Sequence, residues 1–183
     1  FNRASNDDAV GAIVVTGAGR AFCAGMDLTS AGNVFGLNEH LNPTIEDIRD
    51  RFDDEVIENG VTHLFKSKHI NEANLSFIFS DDNLLNSLKR EFFKLDHFTD
   101  VIAFRLNEYE ENNVDGEIYI SIPRAKENAI KFKEPFNGEL VRLIIHGCLH
   151  LLNFNDETDQ EKKEMRKQED HYLDIIKWNN IYG

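Results

Sequence analysis

The sequence predicts an α+β fold, a small mixed sheet packed against helices, and three observations carry that reading. Short β-branched and aromatic runs at residues 75–79, 101–104 and 117–122 are interleaved with longer stretches of helical period. The stretch 136–152 is apolar on nearly every side, as a helix in the middle of a core is. The composition, 41% apolar and 29% charged over 183 residues, suffices for one full-sized domain.

Taken in order, residues 12–17 (AIVVTG) read as a buried strand, and 18–28 (AGRAFCAGMDL) as a small-residue loop. Up to residue 62 Gly and Ala are frequent and Lys is absent; beyond it Lys, Asn, Phe and Ile dominate. With no Pro- or Ser-rich linker at the change, it reads as a seam between two pieces, residues 1–62 and 63–183. In the second piece LSFIF (75–79) is a strand. Ser80, Asp81 and Asp82 offer N-cap chemistry to a helix through Leu84, Leu85, Leu88 and Phe92. Strands 101–104 and 117–122 are expected to pair as an antiparallel hairpin, the polar stretch 107–116 forming its long loop. Pro123 stops the second of them, and 124–132 suits a short helix. Pro135 precedes the strong helix 136–152. A charged helix is expected over 157–178, packing through Met165, Tyr172, Leu173 and Ile176. Phe77, Phe79, Phe92, Phe104 and Phe132 read as core, any exposed ones being able to stack nucleobases.

Composition also excludes some functions. No apolar run approaches the roughly 18 residues that span a bilayer, so no membrane role is expected. No basic segment followed by an apolar one marks a secretory signal, and Phe1 in place of Met suggests a start inside a longer reading frame. Cys23 and Cys148 stand far apart in unlike contexts, so a disulfide framework is not expected and a cytoplasmic location is. The net charge is −13, and neither side of residue 62 is net basic. Any nucleic-acid site must therefore be local, built from a few cations and a metal.

The chemistry is concentrated in HGCLHLLNFND, residues 146–156. His146 and His150, four apart on a helix, share one face within reach of a single ion. Asp156 can be a third ligand only if the helix breaks after Leu152. Asn153 stands where a left-handed terminating residue belongs, and Asn155 adds turn propensity. Two ligands on a helix, a stop and a third on the returning loop have the offset of the extended zincin signature and leave a position open for catalysis. In zinc peptidases the residue after the first His is a Glu base, whereas here it is Gly147. His63, His69, His97 and His171 have no partners at ligand spacing and read as surface residues, and Cys148 as a small core residue.

With those residues in view, 75–176 resembles the YbeY family of metal-dependent endoribonucleases. The likeness is carried by HGCLHLLNFND, LNSLKREFFKLDHFTDVIAF (85–104), GEIYIS (116–121) and the EKKEMRKQED helix. The resemblance implies one zinc per chain and cleavage of single-stranded RNA, not DNA. It further implies small-subunit ribosomal RNA 3′-end processing and ribosome quality control. The chain departs from the family pattern at Asp156 (a third His elsewhere), Asn153 (Gly), Phe93 (Arg) and Ala103 (Ser). Arg142, one turn before His146, is a candidate to supply the missing cation or, equally, a partner of Glu139 or the acidic last helix. Glu117 and Asp100 are candidate bases if the fold brings them near the metal. The family's first strand and helix should precede Leu75, so the sheet is expected to lack an edge or to borrow one at 12–16. A zincin-like metallopeptidase and a catalytically impaired, ribosome-associated metal module are the competing readings. Separately, residues 11–60 resemble the enoyl-CoA hydratase (crotonase) family, whose oxyanion loop would fall at Ala24, Gly25 and Met26. Without that family's second donor and acid/base carboxylates, this piece reads as a non-functional remnant.

Overall fold

The computed structural model describes Ile45, Ile48, residues 52–109, residues 112–178 and Ile181. The expected strand at 12–16, Ala24, Gly25, Met26, Cys23 and His40 lie outside the described residues. No described helix is long and apolar enough to cross a membrane.

Helix α1 (Asp54–Ser67) is capped by the Asp53 carboxylate, which accepts from the Val56 N–H at 3.2 Å. Ile57, Val61, Leu64 and Phe65 form one stripe and are buried. The expected seam at residue 62 falls within this helix. A Cβ on Gly60 would lie 2.4 Å from Ile176, so α1 closes onto the C-terminal part of the chain at van der Waals contact.

Strand β1 (Glu72–Ser80) is followed by α2 (Asp82–Leu88), capped by Asp81, and by a π-helical turn, Lys89–Phe93. Strands β2 (Val101–Arg105) and β3 (Asn113–Ser121) complete a sheet of order β1-β3-β2 among the described residues. β1 runs parallel to β3, and β2 antiparallel to it, so the sheet is mixed as expected. β3 starts four residues before the stretch 117–122, because residues 113–116 continue the pairing with β1 and Asn74 Nδ2 donates to Asp115 Oδ1 across it. The loop between β2 and β3 is correspondingly shorter than 107–116.

Leu75 and Phe77 of β1, and Val114, Ile118 and Ile120 of β3, turn to the core face. On that face lies α4 (Phe136–Leu151), buried at Leu140, Ile144, Ile145, Cys148 and Leu149; α3 (Ile122–Phe132) precedes it. The last helix, α5 (Asp159–Ile175), starts at a Thr158–Glu161 capping box and packs through Met165 and Tyr172. It begins two residues later and ends three earlier than the stretch 157–178. Phe77 is core, whereas Phe92 and Phe132 are exposed, against expectation. Phe92 lies in the π-helical turn, none of whose residues is buried.

Candidate metal centre

Three side chains converge where α4 ends. α4 stops at Leu151, and Asn153 takes the left-handed conformation at φ 64°. The Phe154 N–H donates to the Leu149 carbonyl and the Asn153 N–H to the His150 carbonyl, both at 3.0 Å. This is a Schellman stop, which reverses the chain. It returns Asp156 to the face bearing His146 and His150, and one ligand atom from each lies within 4.8 Å of the others. His146 Nε2 stands 3.8 Å from Asp156 Oδ2 and 2.9 Å from His150 Nε2. Two ligands at tetrahedral angles about zinc would be ~3.3 Å apart, inside that range.

The outer nitrogens decide what the inner ones can do. His146 Nδ1 lies 2.8 Å from Glu169 Oε1, and His150 Nδ1 lies 2.9 Å from the Phe154 carbonyl. Both partners only accept, so each Nδ1 carries a hydrogen. In the neutral rings the two Nε2 lone pairs then face each other at 2.9 Å, an arrangement that calls for a cation between them.

Glu169 is held in turn. Arg142 Nη1 donates to Glu169 Oε2 at 3.0 Å and to Asp170 Oδ1 at 2.7 Å. Of the alternatives for Arg142, the structure has the pairing with the acidic last helix. Burial works to raise the Glu169 pKa, but the hydrogen bond and charge of His146 and those of Arg142 outweigh it and leave it lowered. At His146 burial works downward, yet Glu169, then Asp156 and Asp100, leave its pKa raised. His150 is lowered, first by burial and then by the charge of His146.

The other candidates are sorted by the sheet. Ile118 turns toward α4, so Glu117 next to it turns to the opposite face, where its Oε2 accepts from Tyr119 Oη at 2.8 Å. Asp100, at the start of β2, is close enough for its charge to act on His146; its Oδ2 accepts from Asn128 Nδ2 at 2.8 Å. Gly147 has a steric reason. A Cβ there would lie 2.5 Å from Ile118 Cγ2, so α4 can sit on the sheet only with glycine at this point. A carboxylate at position 147 would thus point into the core, away from the ligands.

Two supports were absent from the sequence reading. Glu169 is one; its signal was an acid within the Met165–Tyr172–Ile176 stripe of an otherwise solvated run. The other is Arg105, whose Nη1 donates to the Leu151 carbonyl at 2.8 Å and ties β2 to the end of α4. His63, His69, His97 and His171 are exposed, and Cys148 is buried, which pushes its thiol pKa up.

Residues 42–177 match the family model described as Endoribonuclease YbeY. The chain belongs to the YbeY endoribonuclease family. The YbeY match begins well before residue 75 and takes in the whole of α1, whose part up to residue 62 the seam reading had assigned to another piece. An Endoribonuclease YbeY from Amoebophilus asiaticus is 39% identical over 130 residues, 70% of this chain and 88% of that protein. One from Karelsulcia muelleri is 44% identical over 112 residues, 61% of this chain and 77% of that protein. A solution structure of a Thermotoga maritima protein, 29% identical, aligns with a TM-score of 0.48 over 67% of this chain and 81% of that one.

Proposed function

We propose that this chain is a zinc-dependent endoribonuclease that cleaves single-stranded RNA in the cytoplasm. Its substrate in that role is the precursor of small-subunit ribosomal RNA, processed at the 3′ end, with a part in ribosome quality control beside the small subunit. The observation that carries the metal is the pair of Nε2 lone pairs facing each other at 2.9 Å, each ring backed by an acceptor, with Asp156 beside them. The ribonuclease activity rests on family membership and on the name its relatives carry.

His146, His150 and Asp156 would hold the zinc, which when bound supplies Lewis-acid polarisation of a phosphoryl oxygen and acidification of water. Glu169 fixes the His146 tautomer, and Arg142 Nη1 is committed to holding Glu169. We assign the proton-accepting role to Asp100: Asn128 occupies its Oδ2 and leaves Oδ1 for the proton. The peptidase reading loses ground because position 147 faces Ile118 and cannot present a base.

The test is cleavage of a labelled single-stranded RNA by the zinc-loaded chain beside His146→Ala and Asp100→Asn. We expect cleavage by the parent, none by His146→Ala, and at least a hundredfold loss in Asp100→Asn with zinc retained. Equal cleavage by His146→Ala would refute the reading.

A further inference from the structure

Phe92 is 58% exposed, Phe93 47% and Phe98 51%; among the described residues the other exposed rings, Tyr109 and Phe132, stand apart from this group. Resting on the ribonuclease reading above, we infer that Phe92 and Phe93 form a platform on which unpaired bases of the RNA substrate stack, with Lys89, Arg90 and Lys94 holding the adjoining phosphates.

The rings are exposed but not loose. Phe92 meets Phe104 edge-on at 5.0 Å, and Phe93 stacks on Phe104 at 5.8 Å with planes 27° apart. Phe104 is braced by Tyr119 at 5.9 Å. One side of each ring is therefore seated on the sheet while much of its surface remains in water, as a stacking platform requires. The backbone beneath them is the π-helical turn Lys89–Phe93, ended by Lys94 at φ 59°. π turns recur at functional positions.

Charge selects the occupant. Lys89, Arg90 and Lys94 lie within six residues of a chain of net charge −13, and none of them is in an ion pair among the described residues. Glu91 and Asp96 are the neighbouring acids, and Asp96 accepts from Asn86 Nδ2 at 3.1 Å. Lys89 Nζ meets His97 Nε2 at 2.9 Å and Lys94 Nζ donates to the Glu91 carbonyl at 2.7 Å, partners that leave both charges unneutralised. Aromatic rings interleaved with such cations suit a single-stranded polyanion better than an apolar protein surface. Phe104 pairs with Glu117 and meets Tyr119, so the platform lies on the sheet face opposite α4, and bases held there belong to nucleotides away from the cleaved bond.

The test is fluorescence anisotropy with the full zinc-loaded chain and a labelled 2′-O-methyl oligouridylate, checked intact on a gel after each titration. Phe92→Ala/Phe93→Ala should weaken binding about tenfold or more. The Trp/Trp pair should restore it, and Leu/Leu should behave like Ala/Ala. An abasic backbone of equal length should bind parent and variants alike. Replacing Lys89, Arg90 and Lys94 by Gln should flatten the salt dependence by about 0.7 in logarithmic slope per cation removed. Unchanged zinc content in each variant shows that the fold is kept. Equal binding by parent and Ala/Ala, or full binding by Leu/Leu, overturns the platform. So does a dimer that dissociates in Ala/Ala without a change in RNA affinity, which would make the patch a self-contact. Cleavage by the parent with no effect of Ala/Ala on binding would sink the platform and leave the ribonuclease reading standing; ring-dependent binding without cleavage would do the reverse.

Discussion

His146 and His150 are the same residue on the same helix, one turn apart, yet their outer nitrogens are held in different ways. His150 is held by the backbone: its Nδ1–H donates to the Phe154 carbonyl, four residues on, inside the turn that ends α4. His146 is held by a side chain 23 residues away, Glu169 of α5, which Arg142 and, through it, Asp170 keep in place. A local turn orients one ligand almost regardless of the rest of the fold. The other is oriented only when α5 docks on α4, so its geometry reports on tertiary packing. The carboxylate also leaves a negative charge beside His146, which the carbonyl does not provide for His150. That is why the two pKa values move in opposite directions.

Removing the long-range support should have the largest effect. Glu169→Ala should lower zinc affinity about 10- to 100-fold, measured by competition with a chromophoric chelator, with the fold retained. An unchanged affinity would mean that His146 needs no orienting partner. Arg142→Ala should give a smaller loss of the same kind, since Glu169 keeps its bond to His146. A β-branched residue in the turn tests the local support: Asn153→Val should cost about 1–2 kcal/mol at its positive φ and weaken zinc binding up to about tenfold. The smallest effect should come from Asn153→Gly, which relieves that strain and stabilises the turn by up to about 1 kcal/mol. Chemical denaturation of the metal-free chain measures it.

The charge difference predicts a pH dependence. In the metal-free chain the raised His146 pKa contributes stability that is complete below the ordinary value of 6.5 and lost as pH rises through the folded value. The lowered Glu169 pKa contributes stability that is complete above 4.5 and lost as pH falls through its folded value. The pair is therefore most stabilising between those two ordinary values. A melting-temperature profile should show a rise in that window which Glu169→Gln abolishes. For zinc the sign is the opposite of His146's own: below the raised His146 pKa each unit of acidification should weaken apparent affinity about tenfold, because the bound proton must leave.

The same contrast explains what could be read from the residues alone. His146, His150, Asn153 and Asp156 occupy one short stretch, and helix spacing plus a left-handed stop sufficed to bring them together. The mixed sheet and α3, α4 and α5 were legible from hydrophobic period. Glu169 was not, because its meaning depends on which helix it meets, and in sequence it is one acid among many. α1 was missed for another reason. Its stripe at Ile57, Val61, Leu64 and Phe65 has helical period, but the change in composition at residue 62 divided it. Deleting residues 1–62 should therefore leave the chain insoluble, since it strips Ile48, Ile57 and Val61 from the core. A soluble product would restore the seam. The exposed Phe92 escaped because period alone does not reveal a π turn.

The most direct measurement is the zinc content of the purified full chain by elemental analysis, beside His146→Ala. About one zinc per chain in the parent and none in the variant is the predicted result. A folded parent without metal, or a variant that keeps it, would contradict the site on which the rest depends.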